Sequence, residues 1–110
     1  DEKKNKANFD KHAIWFEEAQ TVWADAHAQE FFDPEHSEDE DRFIRIGLST
    51  RGRVLLVVFC EKVESEIRII SARKAEPKEM TDYEKGIRSQ QVKEKTGQGK
   101  GRSRGRKDSD

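Results

Sequence analysis

A chain of 110 residues builds one small domain, and with 32% hydrophobic against 41% charged residues its core is modest for its surface. The formal net charge of −1 hides a polarity: residues 1–50 carry 6 basic and 13 acidic side chains, a net −7, and residues 51–110 carry 16 and 10, a net +6. A single cysteine, Cys60, excludes an intrachain disulfide and a multi-thiolate zinc site, and no run approaches the roughly 20 apolar residues of a membrane span. These features predict a soluble, cytoplasmic protein without a membrane partner, whose basic half faces phosphate or a partner.

Taken in order, Asp1 is placed to cap a first helix running through about Lys11, with Glu2 near its positive end. A second helix is predicted from Phe16 to Ala24, because Phe16, Ala19, Val22 and Trp23 recur at three- and four-residue spacing and form a core stripe. Phe31 and Phe32 precede an acidic loop, Asp33 to Asp41, which by composition is a solvated connection. Arg42–Leu48 reads as a strand ended by the Ser49-Thr50-Arg51-Gly52 turn. Arg53–Glu61 follows at hairpin distance and, apolar on both faces, is expected to be central. Glu64–Ser71 completes a meander of three antiparallel strands with helices packed on one face. Pro77 opens a last helix on which Met80, Tyr83 and Ile87 share a face. The folded domain is therefore expected over 1–91. The tail over 92–110, rich in Gly, Ser, Lys and Arg, is expected to be disordered and is equally well read as a nonspecific phosphate grip or a solubilising extension. The chain begins at Asp1 with Met80 as its only methionine, so a preceding segment with a further strand is expected.

The chemistry is written mainly in arginine. Arg53, Arg68 and Arg73 stud the predicted sheet, and a guanidinium stays charged and offers a planar fork of donors to phosphate. These three are the candidate phosphate clamps, with Lys11, Arg51 and Lys74 as further RNA contacts. RNA carries its own nucleophile, the 2′-hydroxyl, so cleavage needs only a base, charge stabilisation and an acid. His12, His36, Glu40 and Tyr83 are the candidate proton carriers, the histidines leading because their ordinary pKa lies nearest neutrality. Which of them is acid and which base stays open. Each also has a plain structural role available: His12 as a helix-end cation, His36 as a turn residue, each arginine as a surface ion pair. A metal site is disfavoured, because the acidic run around His36 lacks the turn glycine of a calcium loop and offers a single strong nitrogen ligand; no cofactor is expected.

The segments KHAIWFEEAQTVWAD, FFDPEHSEDEDRFIRIG, GRVLLVVF and RIISARKAEPKEMTDYE, in this order, resemble the BrnT family of toxins from bacterial type II toxin–antitoxin systems. The resemblance runs from Asp1 to about Lys85. It rests on Lys11-His12, Phe16 to Ala19, Asp33 to Ser37, Arg68 to Arg73 and Tyr83-Glu84. It implies an α+β, RelE-like fold: a small antiparallel sheet with two N-terminal helices and a C-terminal helix packed on it. It also implies an endoribonuclease that inhibits translation and growth, and a cognate antitoxin with a ribbon-helix-helix type DNA-binding portion, through which alone operator DNA is contacted. The chain departs from the family pattern in lacking the leading segment, in having Ala13 where glycine commonly follows the histidine, and in extending past Glu84. The expected chemistry is metal-independent transesterification. The alternative is a non-catalytic module that binds RNA or antitoxin and acts by sequestration. An exposed sheet edge further leads to an expected homodimer.

Overall fold

The computed structural model describes residues 2–34, 40–61 and 66–96, the side chains of 89–96 excepted. Its elements are α1 (Glu2–His12), α2 (Phe16–Gln20) continued by a 3₁₀ stretch (Thr21–Ala24), β1 (Gln29–Asp33), β2 (Arg42–Leu48), β3 (Val54–Glu61), β4 (Ile67–Lys74) and α3 (Pro77–Thr96). The strands form one antiparallel sheet in the order β1-β2-β3-β4. The class is α+β, as expected.

Three features differ from the expectation. The meander has four described strands rather than three, because Gln29–Asp33 pairs along β2 with Phe31 opposite Ile44 and Phe32 opposite Phe43. Its residues Glu30, Phe31 and Phe32 are all exposed, so no in-out alternation announces the strand. Second, helices cover both faces of the sheet, not one. Leu55 and Val57 join Ile14, Ala19, Val22 and Ala72 beneath α1 and α2, while Leu56 packs with Ile46 and Tyr83 beneath α3. Alternate side chains of one strand point to opposite faces, and a strand apolar on both must be covered on both. Third, β4 runs Ile67–Lys74 rather than 64–71, with a bulge opposite Val58 and Phe59 that shifts its register.

The two short N-terminal helices attach largely through amides. Asn8 Nδ2 donates to Ile14 O (2.8 Å) and Ala72 O (2.9 Å), and its Oδ1 accepts from Ala72 N–H (3.1 Å). Asn5 Oδ1 accepts from Phe16 N–H (2.8 Å), capping α2 from another helix, since Trp15 supplies no cap of its own. Both asparagines are buried with their polar atoms satisfied, which makes them specific docking pins. Between the helices Ala13 turns the chain with φ 62, in the left-handed region.

The last helix is seated by Tyr83, Ile87 and a capping arrangement in which Glu79 accepts from Glu76 N–H (2.7 Å). It runs through residue 91 to Thr96, so the change of composition there falls inside it; the tail expected beyond lies outside the described residues. No helix among them is long and apolar enough to cross a membrane.

Candidate functional site

The Phe16-Glu17-Glu18-Ala19 segment explains itself in the structure. Phe16 and Ala19 are buried in the core, Glu17 accepts from Asn5 Nδ2 (2.9 Å), and Glu18 turns toward the β2–β3 connection. Buried at 8% exposure, Glu18 accepts from Ser49 Oγ (2.7 Å) and from Arg53 Nε (3.0 Å), with Arg53 Nη2 closing a bidentate pair. The Arg53 fork, and after it Ser49, hold the Glu18 carboxyl below its ordinary pKa against the opposing effect of burial. Reciprocally, Glu18 holds Arg53 still more firmly protonated.

Ser49 is the organiser of this turn. Its backbone N–H donates to Arg53 O, its carbonyl accepts from Gly52 N–H, and its hydroxyl oxygen accepts from Arg51 N–H (3.2 Å). Gly52 sits at φ 81, which a glycine adopts without strain. The result is a tight loop that sets Arg51 and Arg53 against α2. Here lies a groove of about 520 Å³, lined by Trp15, Glu17, Glu18, Thr21, Thr50 and Arg51 among others. Arg51 is the lining's single cation; it adds to the field on Glu18 but makes no side-chain hydrogen bond or ion pair among the described residues.

The predicted site residues fall into four separate places. Arg51 and Arg53 stand at the β2–β3 turn, and Lys74, opposite Leu55, shares that end of the sheet. Lys11 and half-buried His12 close α1, next to the corner that carries Trp15. At the far end of β3, Arg68 pairs with Cys60 and forms an ion pair with Glu40 through Nη2, while its Nε is buried without a partner. Seven residue steps lead from Arg53 to Cys60, about 23 Å at the rise of an extended chain. On the α3 face, Arg73 is gripped by Glu79 in a bidentate pair, both contacts 2.9 Å. The Arg73 fork, ahead of opposing burial, keeps the Glu79 carboxyl below its ordinary pKa. Thus Arg53, Arg68 and Arg73 do not converge. His36 and its neighbours 35–39 lie outside the described residues. Among the described residues no three His, Cys, Asp or Glu side chains are placed to hold a metal ion.

Tyr83 is buried and donates its hydroxyl to Asp25 Oδ2. Burial first, and then the Asp25 carboxylate, push its pKa well above the ordinary phenol range. Asp25 also accepts from Leu48 N–H (2.8 Å) and His27 N–H (2.9 Å). Burial raises the Asp25 pKa, but these three donors outweigh it and the carboxyl stays low. Sequence reasoning missed Glu18, Glu79 and Asp25. The Phe-Glu-Glu-Ala motif held the signal for the first, since Glu18 falls one residue before core Ala19 on the inward side of α2; the other two carry none that can be separated from ordinary surface acid.

Residues 1–79 match the family described as ribonuclease toxin, BrnT, of type II toxin–antitoxin system. The chain belongs to this family, and membership implies RNA as the substrate class and a cognate antitoxin as partner. No individual curated protein matches the chain.

Proposed function

We propose that this protein is a metal-independent endoribonuclease whose chemistry sits in the groove between the α1–α2 corner and the β2–β3 turn. The observation that supports this reading is the bidentate Glu18–Arg53 pair at the β2–β3 turn, with Arg51 as the one guanidinium lining the adjoining groove. In-line attack of a ribose 2′-oxygen on the adjoining phosphorus forms a phosphorane whose added charge Arg53 and Arg51 are suited to stabilise. The 2′-hydroxyl gives its proton to a carrier as the oxygen attacks; the bond to the 5′-oxygen then breaks, leaving a 2′,3′-cyclic phosphate, and a protonated carrier returns a proton to the leaving oxygen. His12, in the last turn of α1, is the proposed proton carrier, and Lys11 and Lys74 are proposed to steer the phosphate backbone. His36 is retained as the second proposed carrier. Arg68 with Glu40, and Arg73 with Glu79, are assigned to ion pairs that hold the sheet ends, and Tyr83 to anchoring α3.

Neutralisation by an antitoxin with a ribbon-helix-helix type portion, operator contact only through that complex, and a cytoplasmic site of action complete the proposal. One observation favours the second reading, a module acting by sequestration: all three predicted clamps are already paired with carboxylates of the chain itself.

The test is purified protein with free RNA, with and without chelator, followed by end-group analysis. Chelator-resistant fragments with cyclic phosphate ends, lost in Arg53→Ala and His12→Ala, are the expected result. Cleavage that vanishes with chelator and returns with a divalent ion overturns the mechanism, and RNA that is retarded but never shortened supports sequestration.

A further inference from the structure

Trp15 is an anomaly of the N-terminal layer. Its neighbours Ile14 and Phe16 are buried at 0% and 8% exposure, whereas Trp15 is 40% exposed. The backbone dictates this alternation: Ala13 turns in the left-handed region, Asn8 holds the Ile14 carbonyl, and Trp15 follows extended at φ −80, ψ 147. An indole left outside would ordinarily be mobile, but Phe9 fixes it, the rings stacked with centroids 4.1 Å apart and planes at 11°. Stacking takes one face of the indole and leaves the remaining exposure to the other face and the edge. Trp15 borders the groove that holds Arg51 and the exposed Thr50; of the three carboxylates on the same groove, Glu18 is offset by Arg53, Glu17 accepts from the neutral Asn5 amide, and Glu2 belongs to the first turn of α1, so a phosphate can approach only on the Arg51 side.

We infer that Trp15 is a stacking platform for one unpaired nucleobase, with Arg51 taking the adjoining phosphate. This rests on the reading that the groove acts on RNA, and it specifies the ligand further: single-stranded RNA. Every base has a π-face, and an aromatic ring accepts it whatever its identity, so the platform confers a preference for unpaired over paired nucleotides rather than for a particular base. A base inside a duplex has both faces covered by its neighbours and offers nothing to the indole. Rigidity adds to the effect, because a ring already held by Phe9 loses little freedom when a base lands on it.

The test uses a short 2′-O-methyl RNA carrying one 2-aminopurine, which has no free 2′-hydroxyl and so reports binding without cleavage. The native chain should quench the 2-aminopurine. Trp15→Ala should lose the quenching and bind roughly five- to hundredfold more weakly, the range expected for one base stacked on an aromatic side chain. Trp15→Phe should keep most of the affinity, and the annealed duplex should be neither quenched nor tightly bound. Unchanged melting of both variants excludes a folding defect, as an exposed ring permits. An unchanged dissociation constant in Trp15→Ala, or equal quenching of the duplex, overturns the inference. So does oligolysine displacing nothing from the probe while perturbing the Trp15 emission, which would assign the indole to a cationic protein partner. A native chain that quenches the probe but leaves ordinary RNA intact removes the ribonuclease reading alone; one that cuts RNA while Trp15→Ala binds normally removes the platform alone.

Discussion

Glu18 and Ala13 show how single residues shape this molecule. Glu18 is buried, yet it has no solvent to neutralise it and depends on Arg53 and Ser49. Replacing it with Gln leaves Arg53 without its counter-charge, and the half-exposed position of Arg53 keeps the expected loss near 2 kcal/mol, below that of a fully buried pair. Urea unfolding of Glu18→Gln measures this. The acid limb checks the same residue independently. Glu18, Glu79 and Asp25 all titrate below their ordinary values in the folded chain. The unfolded chain therefore binds protons more readily: the stability they contribute is complete above the ordinary carboxylate range near pH 4.5 and is lost as pH falls through the lowered values. Glu18→Gln should show a shallower decline between about pH 5 and pH 3 than the native chain. Ala13 is the opposite case. A left-handed φ of 62 costs an alanine about 1 kcal/mol or more that a glycine escapes. Ala13→Gly should raise stability by about 0.5–1 kcal/mol, net of the freedom it gives the unfolded chain, and a lower denaturation midpoint would contradict the strain assigned to this corner.

Among elements, the contact of β2 with the 3₁₀ stretch and the seat of α3 are the most constrained. A Cβ at Gly47 would lie 3.0 Å from Ala28 Cβ and 3.2 Å from Val22 Cβ, so β2 approaches the N-terminal layer as closely as it does only because this position has no side chain. Gly47→Val should cost about 1–3 kcal/mol through overpacking, read as a lower melting temperature. α3 is held by its apolar stripe and by the Tyr83 hydroxyl on Asp25, a residue that also fixes Leu48 and His27. Tyr83→Phe strands part of a carboxylate and should cost about 1.5–3 kcal/mol without altering RNA cleavage, because the hydroxyl serves anchoring. A cleavage defect in a stably folded Tyr83→Phe would return Tyr83 to the chemistry. Element types were largely legible: β2, β3 and the start of α3 follow from apolar spacing, Pro77 and the Ser49–Gly52 turn, and α1 from the Asp1 cap position with Glu2 behind it. β1 was not, since five residues with an exposed centre leave no period to read, and the 3₁₀ turn at Thr21–Ala24 shares the spacing of an α-helix. Of the site, the arginines were visible as residue types, but their destinations were not. Strand parity separates Arg73 from Arg53, and only the bulge at Val58/Phe59 fixes where Arg68 falls.

At the scale of the molecule, the acidic first half and basic second half meet among the described residues, because Arg53 pairs with Glu18 and Arg68 with Glu40, while Arg73 finds its carboxylate, Glu79, within its own half. Arg53 can face a phosphate while keeping Glu18 as its counter-charge, so the salt dependence of RNA binding should come mainly from cations not so engaged, such as Arg51, Lys11 and Lys74. With two to four phosphate contacts, the slope of log K against log salt should be about −1.5 to −3 for a single strand. A slope much steeper than that would mean RNA had pulled the arginines from their carboxylates. Filter binding across a salt series measures it.

β3 feeds both hydrophobic layers with successive side chains, Leu55 and Val57 to one and Leu56 and Val58 to the other. Neither helical layer can detach without laying bare one side of the same strand. The domain should consequently lack separable halves: amide exchange along β3 should be the slowest in the chain and should proceed only by complete opening, so that a partner able to pry off one layer would have to melt the whole protein to do it.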